Sequence, residues 1–216
     1  MTDAASVPAP RIRLPLAQPG ARVALVLLAA LALGGATSIG QTFLPAEAAS
    51  LANSVSGWTL PTVLLVFATS RSYAEGAVAG AVSFVALTVG YAVISTLRGF
   101  PFDPATWAII GLLAGPVVGA ATHSLRRSST SAAVGGGVVA GILVGEGAYG
   151  LTVIADTTSP VFWWAMIAVG SALLVAVAAL RLRDIRSTLV MATIAALTSG
   201  AFVVAYLGLP ALTALF

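Results

Sequence analysis

Apolar residues run along this chain in blocks of about twenty, separated by short stretches that collect arginine, proline and glycine. The blocks lack the two-residue alternation of barrel strands, so they are read as helices: Val23 to Phe43, Ala48 or Trp58 to Thr69, Gly76 to Leu97, Trp107 to Leu125, Ala132 to Ile154, Phe162 to Leu180 and Thr188 to Leu209. A bilayer core offers no water to unpaired backbone groups, and a helix satisfies them all within itself. The expected architecture is an all-α polytopic membrane bundle of seven transmembrane helices, with a cytoplasmic N-terminus and the C-terminus outside.

Composition agrees: 59% of the residues are hydrophobic, 8% are charged and mean hydropathy is +1.03. Charge sets the orientation. Threaded in order from the inside, the seven blocks place Arg11, Arg13, Arg22, Arg71, Arg126, Arg127, Arg181, Arg183 and Arg186 on the cytoplasmic side and only Arg98 outside. Omitting the short second block inverts everything after it and splits the arginines between the two sides, so that block is expected to cross. Trp58, Trp107, Trp163 and Trp164 then lie at the outer ends of their spans, where amphipathic rings favour the interface. Residues 1–21, with four prolines, are expected to form a disordered cytoplasmic tail before a single transmembrane domain over 22–216. A basic start, an apolar run and Ala46-Glu47-Ala48 have the outline of a signal peptide, but the run exceeds the usual apolar core of such peptides and is read as a retained helix.

The net charge of +3 does not indicate nucleic acid, because the arginines are spread over four short segments without a contiguous patch. The chain has no lysine for a Schiff base and no cysteine for disulfides, thiolate metal sites or iron–sulfur clusters. It shows no phosphate-binding loop, no nucleophile beside a base and no cluster of metal ligands. No cofactor, metal or enzymatic activity is therefore expected, and arginine with abundant alanine suggests a bacterial plasma membrane.

Polar and small residues inside the blocks are the candidates for function. Gly111, Gly115 and Gly119 recur every fourth residue in the fourth block, and Gly137, Gly141 and Gly145 do so in the fifth, giving two bare stripes expected to pack against each other. Glu146 lies near mid-membrane within Gly145-Glu146-Gly147-Ala148-Tyr149-Gly150. An acid at that depth is costly and should face the bundle or a wet cavity, as a ligand or ion site or as a neutral, hydrogen-bonded acid. A proton-coupled role would leave Glu146→Gln folded but insensitive to pH. Tyr149, three residues on, shares its face. Ser50, Asn53 and Gly57 would share another face if the second block is helical from Ala48, with a kink at Pro61; an interfacial loop explains the same residues. Glu75 reads as a cap or a pair with Arg71, His123 as the inner continuation of a glycine stripe, and Ser38 lacks nucleophile-elbow spacing.

The strings Ala49-Ser50-Leu51-Ala52-Asn53-Ser54 with Trp58, Gly90-Tyr91, Arg98-Gly99, Gly115-Pro116 with Gly119, and Gly145-Glu146-Gly147 with Tyr149-Gly150 resemble a bacterial multi-pass membrane family catalogued as a domain of unknown function. The resemblance covers nearly all of the chain after residue 22. It implies membrane location and a helical bundle, and brings no substrate, cofactor or catalytic residue. The favoured expectation is a small-solute binding or transport component, with an outward polar cavity built from Glu146, Tyr149, Asn53 and Ser50 and an energising subunit or ion gradient as its partner. The alternative is a structural or assembly partner in a membrane complex, with Glu146 a packed neutral acid.

Overall fold

The computed structural model describes residues 18–127 and 130–213, with side chains through residue 209. Of the tail expected over residues 1–21, residues 1–17 lie outside the described residues. Among those described there are seven α-helices and no strand: α1 (Pro19–Phe43), α2 (Val55–Thr69), α3 (Tyr73–Leu97), α4 (Ala105–Ser124), α5 (Thr130–Val153), α6 (Pro160–Arg181) and α7 (Ile185–Thr213), with a short 3-10 turn over Ala49–Asn53 before α2. Six of them are long and apolar enough to cross a membrane. The protein is a helical membrane bundle.

Two boundaries differ from expectation. Helix α1 starts at Pro19, inside the stretch read as tail, because proline suits the first helical position, where its missing N–H has no helical partner anyway. The second block is not one helix from Ala48. Ser54 is extended (φ −138°, ψ 157°) and divides the 3-10 turn from α2, so Ser50, Asn53 and Gly57 do not share a helix face. At 15 residues, α2 is only about 22 Å long.

Both ends of the bundle are chemically distinct. Arg22 at the start of α1 meets Glu75 at the start of α3, and Arg126 past α4 donates to the carbonyl of Ser70 past α2. Leu125, Ala132, Val177 and Met191 cluster nearby, joining the ends of α4 and α6 to the starts of α5 and α7. Seven of the eight described arginines therefore lie at or beside one end. The eighth, Arg98, closes α3 at the opposite end, where Gly99 takes φ +85° and lets the chain turn out of the helix. Its guanidinium donates to the Ser38 carbonyl and to the hydroxyls of Ser38 and Thr42 on α1.

Helix α3 is the spine of one half, packed between α1 and α4; α5 is the spine of the other, packed between α6 and α7. The halves meet where α4 and α2 lie on α5. The two glycine stripes do not face each other. Gly111, Gly115 and Gly119 turn toward α3, where a β-carbon at Gly111 would sit 2.8 Å from Phe84 Cβ and one at Gly115 2.7 Å from Ala81 Cα. Gly137, Gly141 and Gly145 turn toward α7, with corresponding separations of 2.8 Å to Ile194 Cβ, 2.6 Å to Thr198 Cβ and 2.8 Å to Ser199 Cα. On α3, Gly76 and Gly80 complete the contact with α4, and Gly90 receives α1 beside Gly34. Such close approach supplies the dispersion that holds helices together in lipid, where burial from water gives no drive. Hydrogen bonds add to it: the Ser199 hydroxyl donates to the Gly141 carbonyl at 2.9 Å, and the hydroxyls of Thr62 and Ser83 join α2 to α3 at 2.9 Å.

Candidate functional site

The first turn of α2 points its backbone N–H groups at Glu146. Val55 N donates to one carboxyl oxygen at 2.6 Å and Ser56 N to the other at 2.5 Å. The next two amides are also met, Gly57 N by the Ser54 hydroxyl at 2.9 Å and Trp58 N by the Ser54 carbonyl at 3.2 Å. The three N–H groups of the first helical turn are thus satisfied from outside the helix ladder, which begins with the Trp58 bond. The lengths agree with this seating. Glu146 lies sixteen positions beyond Thr130 on α5, about 24 Å along that helix, and α2 spans about 22 Å from the arginine-bearing end. The carboxyl group is buried, 3% exposed, and both of its oxygens accept from backbone. Its electrostatic partner is the positive end of the α2 dipole, which explains how an acid is held at this depth without an arginine.

Glu146 is therefore not presented to a ligand. A cavity lies on the other side of the α2 N-terminus, where Asn53, Ser54 and Val55 of the turn into α2 face Tyr149 of α5 and Tyr206 of α7 across about 450 Å³. Glu146 and Ser50 do not line it. Of the four residues expected to form a polar cavity, the structure brings Asn53 and Tyr149 to the lining of one space, sets Glu146 against the α2 start, and leaves Ser50 in the 3-10 turn.

A second, apolar space of about 470 Å³ shares Val55, Trp58, Trp107, Tyr206 and Leu209 with the first and runs from there between α4 and α7 past Gly111, Ala114 and Phe202. The two adjoin along these shared residues, one the more polar and the other almost wholly apolar. Aromatic rings frame them: Tyr149 sets its edge against Tyr206 (centroids 5.1 Å apart), Tyr206 stacks on Phe202 (4.9 Å), and Trp107 reaches Tyr206 at 6.5 Å. No residue lining either part carries a charge.

Trp58 corrects the interfacial expectation. It opens α2 well inside the bundle, 8% exposed, with its ring tilted 6.0 Å from Tyr91, while Trp164 at the start of α6 is exposed as an interfacial anchor would be. The indole Nε1 of Trp58 and the hydroxyl of the neighbouring Thr59 are buried and have no hydrogen-bond partner among the described residues, and both side chains line the apolar part of the cavity. Sequence reasoning passed over Thr59, Trp107 and Tyr206 as site residues. Their clue was the aromatic and hydroxyl side chains of α2, α4 and α7, which read equally well as interface anchors.

At the opposite end Glu75 acts as a cap, as expected, but with a further partner. One of its oxygens accepts from Arg71 N at 2.8 Å; the other accepts from the Arg22 guanidinium at 2.7 Å, joining the starts of α3 and α1. His123 is buried, with Nδ1 3.3 Å from the Ser70 hydroxyl and its ring set edge-on to Tyr73 at 4.9 Å.

No curated protein and no solved structure matches this chain. Residues 13–211 match the model of a family of unknown function (DUF6518), and with nearly the whole bundle inside that match the chain belongs to this family.

Proposed function

We propose that this protein is a small-solute binding component of a bacterial plasma membrane, serving capture or transport, with its arginine-bearing end in the cytoplasm and the Asn53–Tyr149 end of its cavity toward the outside. The positive-inside rule supports this orientation, with α2 and its preceding 3-10 turn together completing a seventh crossing. Irregular backbone at membrane depth is tolerated where protein covers it or a cavity adjoins it, and the Ala49–Ser54 segment meets that condition. The observation that carries the reading is the pair of adjoining aromatic-framed spaces between the two halves, each of the size small-molecule sites have, with polar groups converging on one of them. Its test is ligand-dependent thermal stabilisation of the detergent-purified protein over a library of uncharged solutes. At least one solute should raise the melting temperature, and Asn53→Ala and Tyr149→Phe should weaken that effect while keeping the unliganded melting point. A library without a stabilising solute, or stabilisation indifferent to both substitutions, would remove the reading.

One observation favours the assembly alternative. Helix α7 rests chiefly on α5, and Gly200 and Gly208 have open space beside them, leaving a face on which a partner helix fits. Because the chain has no cysteine, a Gly200→Cys variant reports cleanly: disulfide-trapped complexes in native membranes support assembly through α7, and a monomeric product counts against it.

A further inference from the structure

The cavity's composition restricts what enters it and by which route. We infer that its occupant is an uncharged amphiphile taken laterally from the bilayer through the seam between α4 and α7, with its apolar body in that seam and a hydrogen-bond acceptor held at Trp58. The inference rests on the solute-binding reading and names the chemical class of that solute.

Three observations converge. First, the wall lacks charge: the nearest acid, Glu146, gives both oxygens to α2, so nothing balances an ionic group on the ligand. Second, Trp58 Nε1 is a buried donor without a partner at the point where the polar and apolar parts join, and Thr59 adds an unpartnered hydroxyl beside it. A buried N–H without an acceptor costs free energy, and a ligand carbonyl or ether oxygen would remove that cost. Third, the apolar part lies between two helices that are not packed along each other. Helix α4 is held by α3 and α5, and α7 by α5, so the seam walls are Ile110, Ala114 and Val118 on one side and Ala201, Phe202 and Ala205 on the other. The Trp107–Tyr206 ring pair spans this seam at the end remote from the seven clustered arginines. Leu113 on α4 and Val204 on α7, next along their helices to seam residues Ala114 and Ala205, are 72% and 71% exposed, so apolar surface flanks the seam on both helices.

The test uses the full chain in nanodiscs with a monoacylglycerol carrying a diazirine in its acyl chain. Photolabelling should concentrate on α4 and α7 peptides containing Ala114 and Phe202, be competed by unlabelled monoacylglycerol, and be lost in Ala114→Trp, which fills the seam. Trp58→Phe keeps the ring and removes only the donor; it should weaken competition by about tenfold, the value of one hydrogen bond. A melting point for each variant separates lost binding from lost folding. Label spread evenly over lipid-facing helices and unchanged in folded Ala114→Trp overturns the inference. If a water-soluble solute stabilises the protein through Asn53 and Tyr149 while the amphiphile labels only annular positions, the inference falls and the broader binding reading stands; absence of both effects overturns the two together.

Discussion

Glu146 looks like a ligand group in sequence, and in three dimensions its carboxyl seats the start of another helix. Two hydrogen bonds from backbone, at about 0.5–1.5 kcal/mol each, help to hold a buried acid there. Glu146→Gln keeps one acceptor but turns an amide N–H₂ toward a backbone N–H, so the variant should lose about 2–3 kcal/mol of stability, read as a lower melting point in detergent. The proton-coupled expectation required the opposite, a folded mutant with altered pH response. Glycine positions separate in the same way. A methyl group at Gly119 would run into the Gly76 carbonyl across the α3–α4 contact, whereas one at Gly200 meets nothing. Gly119→Ala should therefore cost at least about 2 kcal/mol, and Gly200→Ala should be neutral or slightly stabilising; paired thermal melts decide it.

At the scale of elements, the six long helices are legible in the sequence because the bilayer imposes their length and apolarity. Their ends move by only a few residues, as at Pro19, where local cap chemistry wins over hydropathy. Helix α2 is less legible, since its 15 residues fall short of a crossing and its start is set by Ser54 together with a residue from another helix. Which stripe meets which helix is not legible either. A row of glycines offers a bare face without naming the neighbour, and Gly76, Gly80 and Gly90 on α3 make that choice. Asp184, between α6 and α7, is a cap that can be followed by pH. It accepts from the Ser187 N–H at 2.8 Å and from the Ser187 hydroxyl at 2.9 Å, and these bonds hold its carboxyl below the ordinary aspartate value of 3.8. A lowered folded-state value means that the contribution to stability is present above that ordinary value and is lost as pH falls through the lowered one. Hydrogen exchange at the Ser187 amide should accordingly lose protection on acidification into that range, relative to the general trend, and Asp184→Asn should abolish the difference.

For the whole molecule, the division into an α1–α4 half and an α5–α7 half explains both where the cavity lies and why it escapes a one-dimensional reading. Asn53, Trp58, Trp107, Tyr149 and Tyr206 come from four α-helices and the 3-10 turn before α2, and converge only once the halves are joined. The partner of Glu146 is invisible for a different reason, because backbone amides carry no residue identity. Joining the halves should also be needed for the Trp58 environment. In a variant whose other three tryptophans are phenylalanine, Trp58 emission should shift with Ala114→Phe, which fills the α4–α7 seam, and remain unshifted with Leu113→Phe on the lipid face.

The bond between Ser56 and Glu146 spans 90 residues of chain. During synthesis the α2 start enters the membrane long before its acceptor exists, so Val55 and Ser56 must wait, through the insertion of α3 and α4, with donors that lipid cannot satisfy. A nascent chain arrested before residue 146 should leave the Asn53–Trp58 segment open to water-borne reagents, and one extended past α5 should close it. Closure on that schedule would make the arrival of the Glu146 carboxyl the moment at which a provisional hairpin becomes a committed part of the bundle.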